Sequence, residues 1–431
     1  MDAAAGLGES NVRRVVITGI GLIGPTGIGP QAFWQSLLEC RSGIGPITRF
    51  DSASYACRIG GEVRDRSYEE LLDPGKLRTT THATQLALAA TELSVRDARL
   101  PLDQCEPHVV GVSIGTALGG WREAEQQHSI LMERGARKVN PFIANSTPNH
   151  TSAAEVATAA GAQGAHATFS SGCPASLQAI GHAATLVASG ELDVCLAGGT
   201  ESPLIPMVVA GMGRTQELSS LNDDPEHASR PFDRRHNGLV LSEGSCILVL
   251  ESAEQAASRG ARIYCEVLGY ASSCDANGLY GFDASGAVGA RAIHRLLSRA
   301  GLSAIDIDYV CAHANSSPAF DRKETLVIKK AFGECAGRLP VSSIKGVIGH
   351  PFGAAGSFQV AAAALAIQEQ LIPPTGNLEV SDPECDLDYV PHVARSSQIR
   401  RVLVTSYGYG GTNCYLVLGA MSPPVSDNQK Q

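Results

Sequence analysis

The chain has 431 residues, 44% of them hydrophobic and 18% charged, with a formal net charge of -9. That acidic balance excludes a sequence-independent grip on nucleic acid or on an anionic membrane surface, since both need surplus lysine and arginine. The length is ample for a large core, and 46 glycines beside only 5% aromatic residues imply backbones packed close together, as in α/β proteins.

The opening MDAAAGLGES lacks the basic start and apolar core of a signal peptide. No apolar run reaches the roughly 20 residues that span a bilayer, so a cytoplasmic location without a membrane partner is expected. Residues 1–12 and 421–431 are polar or small and read as flexible ends. The first strand signal, RRVVITG, runs into Gly19-Ile20-Gly21-Leu22-Ile23-Gly24, which spells a dinucleotide-binding G-x-G-x-x-G. Such a site needs a helix opening at the third glycine, and here Pro25-Thr26-Gly27-Ile28-Gly29 delays any helix to about Pro30. A tight glycine turn in the core is the better reading.

THATQLALAATELSVRDA follows with helical spacing, then the strand HVVGVSIG. Its Gly111-Val112-Ser113-Ile114-Gly115 matches the G-x-S-x-G of serine hydrolases, but Gly119-Gly120 postpone the helix that this elbow requires, leaving Ser113 as a buried strand residue. AHATFS is the next strand. It leads through a small turn to Cys173, Pro174 at the expected first helical position, and the apolar helix PASLQAIGHAATLVASG. A cysteine there feels the positive end of the helix dipole, which favours thiolate. The twelve cysteines are otherwise scattered singly, without C-x-x-C or zinc spacing, so reduced thiols and no metal are expected.

DVCLAGG and CILVLE are further strands, and ARIYCEVLGYASSCDANGLYG reads as the joint between two halves. Beyond it come the helix GARAIHRLLSRAG and the strand IDYVCAH, which ends on His313. LPVSSIKGVIGH then carries His350 to the mouth of a second alanine-rich helix, FQVAAAALAIQEQL, echoing the strand, turn, reactive side chain and helix around Cys173. The strand RRVLVTS and the glycine loop SYGYGGTN close the pattern.

Together these motifs resemble the elongating β-ketoacyl-acyl carrier protein synthases, the condensing enzymes of fatty-acid and type II polyketide assembly. The likeness runs from Arg13 to Ala420 through VVITGIGLIGPTG, GCPASLQAIGHA, LAGGTES, ASRPFDRRHNGLVLSEGS, AHANSSPAFDRKE, IKGVIGHPFGAAG and YGYGGTN. It implies a thiolase fold, with two similar α/β halves, 13–260 and 261–420, forming a layered αβαβα core. It also implies Cys173 as nucleophile, His313 and His350 as the catalytic pair, and Lys345 and Glu324 as a supporting network, Lys345 fixing His350 or its neighbours. The backbone N–H groups of Cys173 and Tyr409 would form the oxyanion hole. Asn315 and Ser317 would line the pantetheine channel in place of the usual threonines, and Tyr409 stands where a gating phenylalanine is usual, its hydroxyl suited to a more polar or unsaturated chain. Leu239 and Asn237 replace a commoner Phe and Asp at the malonyl pocket.

No cofactor is implied beyond phosphopantetheine borne by an acyl carrier protein. The resemblance implies a dimer, either of identical chains or with a chain-length-factor-like subunit. Arg64, Arg66, Lys76 and Arg78 form the basic patch open to an acidic carrier. The alternatives are an acyltransferase that uses Cys173 without decarboxylation, the serine hydrolase built on Ser113, and a non-catalytic chain-length subunit, which lacks the nucleophile.

Overall fold

The computed structural model describes residues 12–421; the remaining residues of the two ends read as flexible lie outside the described residues. The first half of the chain supplies β1 (Val15–Gly24), β2 (Val110–Gly115), β3 (His166–Phe169), β4 (Val194–Glu201) and β5 (Gly244–Ser252). The second half supplies β6 (Cys265–Cys274), β7 (Tyr309–Cys311), β8 (Val341–Ser342), β9 (Arg401–Tyr407) and β10 (Thr412–Gly419). They join in the order β8-β7-β9-β10-β6-β1-β5-β4-β2-β3, with the short Gly27–Ile28 strand folded back on β1.

The two halves repeat one topology. β1/β5 and β5/β4 are antiparallel while β4/β2 and β2/β3 are parallel, and β6/β10, β10/β9, β9/β7 and β7/β8 follow the same sequence. The halves meet at two residue pairs, Val16 with Glu266 and Ile17 with Cys265. β1, β2, β4 and β5 are buried along their whole length, as apolar runs covered on both faces should be.

The covering helices are α1 (His82–Ala98), α2 (Thr151–Ala160), α3 (Ala175–Ser189), α4 (Ala287–Arg299), α5 (Pro318–Phe332) and α6 (Ala355–Glu369). α1 and α2 pack on the first half of the sheet, and α4, backed by α5, on the second. Between the halves lie α3 and α6, each touching strands of both, which completes the five αβαβα layers. α6 is buried from Ala355 through Ile367 without a break, the signature of a helix with no solvent face. Its small residues bring α3 close: a Cβ on Gly356 would lie 2.8 Å from that of Leu177, and Ser176 Oγ accepts the Ser357 N–H at 3.0 Å. This crossing sets the two helix starts, and hence Cys173 and His350, side by side.

Two sequence expectations change, and the reading of the early glycines as core packing is refined. The fingerprint glycines lie inside β1, where α1 rests on them; a Cβ at Gly19 or Gly21 would collide with the backbone of Ser94 or of Ala90. The turn comes after Gly24, and no helix N-terminus meets the glycines, so the motif is a packing device. The stretch read as a joint holds β6, which is core sheet, and β10 emerges directly from the glycine loop. Pro174 caps α3 with helical backbone angles rather than occupying its first position.

Candidate active site

Cys173 lies in the turn between β3 and α3, and His350 just before α6. The His350 Nε2 to Cys173 Sγ distance is 3.1 Å. His313, two residues past β7, stands edge-on to His350 with ring centroids 5.4 Å apart and planes at 89°. The three side chains separated in sequence thus share one buried site.

Burial pushes the Cys173 thiol up to about 12, against downward pulls from Lys345 and its own N–H. The thiolate expected from the helix dipole is therefore not the resting form; complete desolvation outweighs the dipole. Burial, with the Lys345 charge behind it, holds both His313 and His350 well below the ordinary imidazole range, so both are neutral. A neutral His350 beside a neutral thiol is placed to take its proton as the sulfur attacks.

Lys345 and Glu324 are buried, which excludes a surface ion pair. They grip one peptide from opposite sides. Glu324 accepts the N–H of His313 at 2.9 Å and of Ala314 at 2.7 Å, and also the Thr405 hydroxyl. Lys345 Nζ donates to the His313 carbonyl and reaches Gln359 Oε1 at 3.4 Å. Of the two histidines, the lysine thus fixes the peptide of His313, the neighbour of His350. Burial raises the Glu324 carboxyl and lowers the Lys345 ammonium, so desolvation moves each towards neutrality. Gln359 completes the frame by donating to the carbonyls of Cys311 (3.2 Å), Ala312 (2.8 Å) and Thr405 (3.0 Å).

The glycine loop lies over the nucleophile turn. A Cβ on Gly408 would sit 2.7 Å from Pro174 Cδ and 3.5 Å from the Cys173 nitrogen. Among the described residues, neither the Cys173 N–H, which turns only on its own sulfur, nor the Tyr409 N–H meets a backbone carbonyl, whereas those of Gly408, Gly410 and Gly411 all do. The Tyr409 hydroxyl, expected to suit a more polar or unsaturated chain, donates to Glu217.

Asn315 Nδ2 approaches His313 Nε2 at 3.5 Å while its Oδ1 accepts the Ser317 N–H at 3.1 Å, which places Asn315 beside His313 and Ser317 one hydrogen bond further out. Leu239 is buried in an apolar cluster with Leu204, Leu218 and Leu241. The carbonyl of Val240, the residue after Leu239, accepts the His350 N–H at 2.8 Å, and Phe352, packed against the cluster, sets its ring 5.4 Å from that of His350. Asn237 accepts a hydrogen bond from Ser219 at 2.8 Å. Sequence reasoning missed Gln359, Thr405, Phe320 against His313, and Glu217. Of these only Gln359 left a trace, as an amide just ahead of the alanine run. Ser113 is buried and donates to the Ala179 carbonyl at 2.9 Å, a structural hydroxyl with no imidazole partner. In the basic patch Lys76 is paired with Glu155 at 2.5 Å and Arg66 with Glu69, which leaves Arg64 and Arg78 as its exposed charges outside ion pairs among the described residues.

Residues 12–256 match the family described as Beta-ketoacyl synthase, N-terminal domain, and residues 264–379 the one described as Beta-ketoacyl synthase, C-terminal domain. The chain is 41% identical to the 3-oxoacyl-(acyl-carrier-protein) synthase 2 of Synechocystis sp. over 94% of its length and 97% of that protein. It is also 41% identical to the tetracenomycin polyketide synthase ketoacyl synthase alpha subunit of Streptomyces glaucescens, with the same coverages. The solved ishigamide ketosynthase/chain length factor superposes with a TM-score of 0.90 at 31% identity, over 95% of this chain and all of that one. With both domains matched in order and the cysteine and two histidines gathered between them, the chain belongs to the beta-ketoacyl synthase family of condensing acyltransferases.

Proposed function

We propose that Cys173 carries the acyl chain, that His313 and His350 hold the enolate, and that the product is a β-ketoacyl thioester on an acyl carrier protein. The observation that carries this reading is the 3.1 Å approach of His350 Nε2 to Cys173 Sγ, with His313 edge-on behind it. In the first step Sγ attacks the carrier thioester, its proton passes to His350, and the pantetheine sulfur leaves with a proton. Next, the malonyl thioester loses CO2, and the electron pair flows into its carbonyl oxygen, where the two imidazole N–H groups converge. The enolate carbon then attacks the acyl-cysteine, a C–C bond forms, and the Cys173 sulfur leaves.

Charge on oxygen is the main electrostatic demand at each step. One oxyanion donor is commonly worth about 3–4 kcal/mol, and the free N–H groups of Cys173 and Tyr409 supply two. Lys345 acts through the His313 peptide. A lysine on the malonyl carboxylate would stabilise the ground state and slow decarboxylation.

The two halves, 13–260 and 261–420, are read as one duplicated unit split by the active site. No cofactor is required beyond the carrier's phosphopantetheine. The names of its relatives support an acyl carrier protein as partner and a polyketide or fatty-acid setting. They also support a dimer, with a chain-length-factor-like subunit as the favoured second chain. Among the described residues no helix is long and apolar enough to cross a membrane; the cytoplasm is the proposed setting, as for a biosynthetic enzyme like its relatives.

Intact mass after exposure to acyl carriers tests the reading: an acyl adduct forms on the native protein and is absent in Cys173→Ala. Release of CO2 from malonyl carrier separates condensation from simple acyl transfer. An adduct that survives Cys173→Ala and disappears in Ser113→Ala would return the serine-hydrolase reading.

A further inference from the structure

The loop Gly408-Tyr409-Gly410-Gly411 has one side chain with which to anchor itself, since its other members are glycines, two of them at φ of 83° and 78°. That side chain reaches across to Glu217, whose carboxylate accepts the Tyr409 hydroxyl. Glu217 is itself held firmly. Its N–H donates to the Met212 carbonyl at 3.1 Å, its own carbonyl accepts the Leu239 N–H at 2.9 Å, and Gln216 before it is bent into left-handed space at φ 58°. The Tyr409 ring lies edge-on between Phe320, at 5.2 Å, and the exposed Tyr280, at 6.0 Å. Phe320 in turn packs on His313 at 5.7 Å. Burial and the Glu217 carboxylate raise the Tyr409 phenol, so it remains a proton donor. In this arrangement Cys173 keeps only 7% of its surface exposed.

We infer that Glu217 is a positioning residue for the condensation: by latching Tyr409 it holds the glycine loop shut over acyl-Cys173, with the Tyr409 N–H at the thioester oxygen. This rests on Cys173 being the acyl carrier. A phenylalanine at 409 has nothing to give Glu217, so the latch is a property of this pairing of residues. It must release to admit the pantetheine arm and re-form to keep water from the thioester.

The test uses the full chain with its partner subunit if it has one, loaded from hexanoyl carrier protein or whichever of the acetyl-to-octanoyl series forms the adduct. Glu217→Gln, Tyr409→Phe and the double variant are compared. Each single variant is expected to acylate with a KM within two-fold of native, to hydrolyse its acyl-cysteine about 10-fold faster and to condense with kcat about 10-fold lower, the worth of one hydrogen bond to a charged group. The double variant should be no worse than either single one, because both remove the same bond. Native-like hydrolysis and kcat in both single variants, or multiplied losses in the double one, overturn the latch while leaving the nucleophile intact. Absence of any adduct on the native protein overturns the nucleophile and the latch with it. Tyr409→Phe keeps the ring and its packing, so its result stands even if Glu217→Gln fails to fold.

Discussion

The His313 peptide is held by a carboxylate on its N–H and an ammonium on its carbonyl, and this grip makes two residues remote from the chemistry matter to it. In Lys345→Met the buried Glu324 loses its compensating charge, which should cost about 3 kcal/mol in urea unfolding. Lys345→Met combined with Glu324→Gln should recover at least half of that, since no unpaired charge remains. The two imidazoles should also separate by role. His313→Ala leaves the His350 contact to sulfur, so the acyl adduct still forms while CO2 release falls by about 100-fold or more. His350→Ala should slow adduct formation as well, read by mass against time. The cysteine and both histidines were legible in the sequence because each sits at a strand end or helix start, where reactive side chains are presented. The supporting residues were legible only in part: Lys345 and Glu324 were implied by the resemblance, whereas Thr405 and Gln359 join them only through the fold, and nothing local marks Thr405 within VLVTS or Glu217 within RTQELSS.

At the scale of elements, the crossing of α3 and α6 sets the distance between sulfur and imidazole. Gly356→Val would push a branched side chain into Leu177. Overpacking of this kind costs about 1–3 kcal/mol. Activity should fall further than stability, because the helix starts that carry Cys173 and His350 must separate to relieve the clash; paired thermal melts and turnover rates check this. The alternation of strands and helices was readable, and so was the echo of the two reactive turns. β6 escaped because CEVLGYASSC mixes small and polar residues and emerges part-exposed along its second half, the look of a loop. β10 escaped because a conspicuous glycine motif runs straight into it. In β1 the core reading of the glycines held: glycines spaced for a phosphate cradle are spaced equally well for a helix to lie on a strand.

Across the whole molecule, buried histidines give stability an opposing pair of pH dependences. His313 and His350 are held neutral, so below about pH 6.5 the unfolded chain takes up protons that the folded one refuses, and stability falls. His236 works the other way. Burial pulls it down, but its contacts to Asp321 and Asp382, both 3.0 Å, win and raise it, with Arg322 also on Asp382 at 2.8 Å. Its contribution is complete below about pH 6.5 and is lost as pH rises through its folded value. His236→Gln should therefore cost about 1–3 kcal/mol at pH 6 and distinctly less at pH 9, measured by denaturant unfolding at each pH.

The seam between the two halves of the sheet is only two rungs long, and the reaction centre straddles it. Cys173 is supplied from one side, and His313 and His350 from the other. Half a molecule is thus chemically inert even if it folds: one fragment would own a sulfur with no proton acceptor, the other a pair of imidazoles with nothing to acylate. A relative shift of the halves, at this join and at the α3–α6 crossing, would widen the sulfur–nitrogen gap while each half of the sheet stays paired. Mild denaturant should therefore extinguish turnover while far-ultraviolet circular dichroism is still that of the native protein.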